Sequence, residues 1–104
     1  EDSATIRRRV VAARQAQQRR YAGSAVRCNA GLGPRLLRRH VPLPAAAQQL
    51  LEDVAAAHQL SGRALHRACR VARTVADLEG NESVGEEHVA LALSLQRGRW
   101  EAVV

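Results

Sequence analysis

One row of arginines is the part of this sequence best equipped for chemistry. Arg63, Arg67 and Arg70 are spaced by four and three residues, with Thr74 four further on. At 100° per residue, a helix brings all four to one side. A guanidinium is permanently charged, and its planar fork matches two phosphate oxygens at once. Ser61 is a good N-cap residue, which puts Arg63 in the first turn, where free backbone N–H groups also favour anions. Arg67 and Arg70, one and two turns further on, could extend that surface to phosphate, DNA or an adjacent subunit. A plainer reading, a solvated charged face, fits the same spacing.

The other reactive side chains do not assemble into a site. His66 and Cys69 are three apart, whereas His40, His58, His88 and Cys28 are scattered. A structural zinc site calls for closely paired ligands in two sets, so no metal site is expected. Cys69 falls on an apolar seam, where a thiol acts as a small hydrophobe. Ser61 is occupied as a cap, and neither cysteine has a base beside it. Gly31-Leu32-Gly33-Pro34 lacks the Gly-Lys-Ser/Thr ending of a phosphate loop. No self-contained enzyme is expected here.

These side chains must be positioned by helices. Ser3 is read as the cap of a helix over 4–20, with Ile6, Val10 and Ala13 as its apolar stripe among many arginines. Glycines and prolines between Ala22 and Pro44 mark turns, interrupted by a short helix from Pro34 to about His40. A helix over 45–58 has Ala47, Leu50, Leu51, Val54 and His58 on one side. The arginine-bearing helix is predicted over 62–79, with Gly80 as its stop. Leu65, Ala68, Cys69, Ala72, Val75 and Ala76 are its buried seam, and the arginine stripe lies opposite. Arg73, off that stripe, is four before Asp77 and suits a modest ion pair. A last helix spans about 86–97, with Glu86 and Glu87 at its favourable end, and 98–104 is read as a frayed tail. The expected fold is therefore all-α, a small bundle of four main helices plus a short one, in a single domain over 1–104 with its core at about 3–97.

Composition agrees with close helix packing. The apolar residues are mostly Ala, Leu and Val, with no Phe and only Tyr21 and Trp100 as aromatics. All 16 basic residues are Arg and the formal net charge is +6, which favours an anionic partner. Two cysteines do not make a disulfide framework, and a cytoplasmic protein with reduced thiols is expected. No apolar run approaches the ~20 residues that cross a bilayer. The chain starts at Glu1 and has no Met, which reads as a piece of something longer.

Three runs make the sequence recognisable. Leu60-Ser61-Gly62-Arg63-Ala64, then Arg67, then Arg70-Val71-Ala72-Arg73-Thr74-Val75-Ala76-Asp77-Leu78-Glu79-Gly80 resemble the C-terminal domain of the magnesium-chelatase-like ATPases, above all the ComM/YifB group. Val84, Glu87-His88-Val89 and Ala92-Leu93 fit the end of that domain. Asn29, Leu32, Pro34 and Leu37 fit its middle, and Arg7, Arg9-Val10, Ala13-Arg14 and Gln18 its first helix. Two departures are Gly85, where a polar cap is expected, and Val41, where a Cys is common.

The resemblance implies the helical lid of an AAA+ ring ATPase, expected to be hexameric, with nucleotide held between the lid and the larger core of the same chain. Ser61-Gly62-Arg63 is similar to the sensor-2 motif, which would make Arg63 the residue that reaches the ATP phosphates. ATP and Mg2+ would belong to the full-length parent, and neither is expected to bind tightly to this domain alone. ComM-type relatives are associated with DNA branch migration, and the chelatases drive metal insertion into porphyrin. The competing reading from the residues is a helical nucleic-acid-binding module acting through its arginine-rich faces.

Overall fold

The helix with the clearest apolar seam is also the centre of the structure. In the computed structural model, which describes residues 2–101, α4 (Gly62–Leu78) is contacted by α1 (Ser3–Arg20), by a short 3-10 turn (Asn29–Gly31), by α2 (Pro34–His40) and by α5 (Glu86–Glu101). The remaining helix, α3 (Ala45–His58), lies against α5. The described residues contain no strand. The fold is an all-α bundle of four main helices and one short helix.

Small side chains explain how α4 can serve so many neighbours. Ala68, Ala72 and Ala76, four apart, are at most 1% exposed, as are Ala47 of α3 and Ala92 of α5. Such residues let helix backbones approach closely, and the larger Leu32, Leu37, Leu51, Val84, Val89 and Leu93 fill the space between. Burying each large aliphatic side chain contributes roughly 1.5–3 kcal/mol.

Helix ends follow local chemistry. Ser61 accepts a hydrogen bond from the Ala64 N–H at 3.2 Å, and Gly80, at φ 76, turns the chain beyond α4. That helix stops one residue short of the predicted Glu79. The cap of α1 is Asp2 rather than Ser3: its carboxylate accepts from the Thr5 N–H at 2.8 Å, and this bond holds the Asp2 carboxyl below its usual range. Ser3 is then the first helical residue. Of the stripe expected on α1, Ala13 is buried, Val10 is half-buried and Ile6 is 50% exposed.

The start of α5 shows how Gly85 does without a polar side chain. His88, three residues on, accepts from the Gly85 N–H through Nδ1 at 2.9 Å, the reciprocal half of a capping box. The other end corrects the expectation of a frayed tail from Gly98. The helix runs to Glu101, and residues 102–104 of that expected tail lie outside the described residues. Gly98 does not stop it because Trp100 continues the buried register of Val89, Leu93 and Gln96. The indole packs on the core and meets the His58 ring edge-on at 4.8 Å.

Candidate functional site

The arginine row begins where α4 begins. Arg63 is exposed, in the first turn after the Ser61 cap, and has no hydrogen-bond or ion-pair partner among the described residues. The N–H groups of Gly62 and Arg63 belong to the first helical turn, which has no partners within the helix. An unpaired guanidinium next to such a helix start can bind an anion without displacing any protein contact.

Further along, the row is not the free face the periodicity suggests. Arg67 is half-buried and lies between two depressions. One is lined by Leu60, Leu93, Arg99 and Trp100, the other by Ala30, Arg70, Val71 and Thr74. Arg70 donates through Nη1 to the Leu32 carbonyl at 3.0 Å. Thr74 donates to the Arg70 carbonyl at 3.2 Å and accepts from Asn29 Nδ2 at 3.0 Å. The expectation that all four face away from the core therefore fails for Arg70 and Thr74. The cause is the segment 29–33, which packs across the second half of α4. Arg63 and Arg67 keep unpaired guanidinium groups, whereas Arg70 is tied to the fold.

At the opposite end of α4 lies a charged cluster that sequence reasoning undervalued. Arg73 and Asp77, at 2% and 4% exposure, pair at 3.0 Å. Arg20, from the end of α1, joins the same carboxylate at 2.6 Å and bonds its second oxygen at 3.0 Å, a bidentate geometry. Asn29 completes the node: its amide donates to Asp77 at 2.9 Å, and its oxygen accepts from the Tyr21 hydroxyl at 2.6 Å. Its own N–H is taken by Gln17 Oε1 at 2.9 Å. Arg73 also donates to the carbonyls of Asn81 and Glu82, both at 2.8 Å, fastening the turn after α4. Burial pushes the Arg73 guanidinium below its ordinary value against the pull of Asp77. Arg20, nearer the rim, is raised by its hydrogen bond to that carboxylate. This arrangement positions helices and offers no open chemistry.

The remaining candidates are separate. Cys28 is exposed, Cys69 is half-buried, and both thiols are free; burial raises the Cys69 thiol above its usual range, partly offset by Arg70. Among the described residues, no three of His, Cys, Asp and Glu come together as metal ligands, and no helix is long and apolar enough to cross a membrane. The Arg73–Asp77 spacing was the one sequence signal for the buried node. Its reach to Arg20, 57 residues from Asp77, had none.

With this geometry in hand, known proteins supply context. The family profile described as magnesium chelatase, subunit ChlI C-terminal, matches residues 1–96. A protein of Mycobacterium tuberculosis is 37% identical over 97 residues, covering 93% of this chain and 19% of that protein. YifB of Salmonella typhimurium is 36% identical over 94 residues, or 90% of this chain and 18% of its own length. The competence protein ComM of Haemophilus influenzae is 36% identical over 93 residues, 89% and 18% respectively. No solved structure matches with significance. The chain thus spans about a fifth of the length of these relatives. It belongs to the magnesium chelatase subunit ChlI C-terminal family, and is similar to its ComM and YifB members.

Proposed function

We propose that this chain is the sensor-2 lid of a magnesium-chelatase-like AAA+ ATPase, with Arg63 as the residue that contacts the nucleotide phosphates. The observation that carries this reading is the state of Arg63: exposed, unpartnered and in the first turn of a capped helix. A guanidinium left unpaired beside free N–H groups is well suited to an anionic ligand. ATP supplies the phosphoryl group to be transferred. On this chain, Arg63 would neutralise charge on phosphate oxygens and transmit their presence along α4. Among the described residues no cluster of potential metal ligands forms, and in this reading the side chains that hold Mg2+ belong to the rest of the parent.

The rigid attachment of the other end of α4 supports a lid role. An arginine that senses a phosphate must pull on something stiff, and the node at Asp77 joins α4 to α1, the 3-10 turn and the turn after Glu79. The similarity to the competence protein ComM favours a parent that remodels DNA as a ring, with neighbouring subunits contacting the lid.

The test is the ATP hydrolysis rate of the full-length parent, wild type against Arg63→Ala, with Mg2+ and with or without branched DNA. The expected result is a drop on the order of tenfold to a hundredfold in a ring that still assembles. Stimulation by branched DNA would support the remodelling role. An unchanged rate in an assembled ring overturns the sensor assignment.

A further inference from the structure

Charge in this molecule is segregated along the chain. From Ser3 to Leu51 there is no acidic residue, and ten of the sixteen arginines fall in that stretch. Nine of those ten lie on two helices, six on α1 and three on α2. Arg7 and Arg14 are seven apart, so they share a flank of α1 with Tyr21, seven residues further on. Arg35 and Arg39, four apart, share the outer side of α2. All four arginines are exposed and unpaired among the described residues. The two helices meet at their C-terminal ends, where the Tyr21 and His40 rings stand edge to face at 5.1 Å. Burial first, then the charges of Arg39 and Arg20, push the His40 imidazole below its ordinary value.

We propose that the exposed flanks of α1 and α2, which meet at Tyr21 and His40 and carry Arg7, Arg14, Arg35 and Arg39, bind the phosphate backbone of nucleic acid without reading its sequence. An 18-residue helix is about 27 Å long, and duplex DNA presents a charge roughly every 1.7 Å along its axis, so a strip of separated guanidiniums suits a repeating polyanion. Neither aromatic residue is available to this face as a surface platform: Tyr21 is buried and Trp100 belongs to α5. That absence disfavours stacking on unpaired bases, which relies on aromatic platforms. Backbone contacts carry affinity and no sequence information. The surface rests on the preceding reading of a DNA-remodelling parent and assigns this chain a DNA contact that does not involve Arg63.

The experiment titrates this 104-residue chain into labelled 20-base-pair duplexes of unrelated sequence, and into polyglutamate, across a range of salt concentrations. The expected result is equal affinity for the duplexes, with a log–log salt slope of about −3 to −4, as four phosphate contacts require. The variant R7Q/R14Q/R35Q/R39Q, with unchanged circular dichroism, is expected to lose at least about tenfold in affinity at low salt and most of that slope. R99Q, on α5, is expected to change affinity by less than about twofold. Should the quadruple variant lose helicity, R14Q/R39Q serves in its place, with about half the change in slope. An unchanged slope in a folded variant overturns the location. Failure to bind duplex at low salt, or equal affinity for polyglutamate, overturns nucleic acid as the partner. Binding is read without ATP, so this surface and the Arg63 assignment can each fail alone.

Discussion

Arg63 and Arg73 are the same residue type on the same helix, and the fold treats them in opposite ways. Arg63 is exposed and unpaired, whereas Arg73 is buried and donates to one carboxylate and two carbonyls. The difference follows from what surrounds each end of α4. Arg63 lies on the exposed first turn, whereas α1, the 3-10 turn and the following turn close over Arg73 at the other end. A guanidinium can thus be held ready for a ligand outside the chain or be spent on holding the chain together, and neighbouring elements decide which.

Removing the shared carboxylate is the strongest way to break this contrast. Asp77→Asn leaves Arg20 and Arg73 facing each other without a counter-charge. Breaking a buried pair in this way typically destabilises by about 3–5 kcal/mol. A urea midpoint close to wild type would show that the node does not pin α1 to α4. Ser61→Ala comes next, with an expected loss of about 1 kcal/mol from the unsatisfied Ala64 N–H; the same denaturation measurement reads it. The smallest effect sharpens the comparison. Arg63→Ala should shift the stability of this chain by no more than about 0.5 kcal/mol, because the side chain touches nothing that folding depends on. A large loss of stability would move Arg63 into the structural class with Arg73.

How much of this was legible in the sequence depends on the range of the interaction. The 3.6-residue period placed α2, α3 and α4 within a residue of their observed ends. The Ser61 cap and the Gly80 turn were also readable, because both act within four residues. The node was not. Arg73 and Asp77 are four apart, and that spacing on an open helix surface implies a weak pair. What makes the pair central is burial beneath Arg20 and Asn29, which only tertiary packing supplies. The stripe from Arg63 to Thr74 failed halfway for the same reason, since no local rule shows the 29–33 segment crossing α4. At α5, Gly98 suggested a stop, yet a glycine at negative φ is tolerated within a helix when the next turn has something to pack against. Trp100 is that contact. Its register with Leu93 and Gln96 was present in the sequence but was outweighed by the glycine.

That tryptophan has a practical consequence. It is the chain's sole indole, and its ring rests on His58 at the end of α3, far along the sequence from the buried charges. Its emission therefore reports on one junction, the docking of the last helix against the third. Circular dichroism reports instead on helix content throughout the chain. Comparing the two signals during unfolding distinguishes a bundle that opens first between α3 and α5 from one that melts as a unit, with no label added.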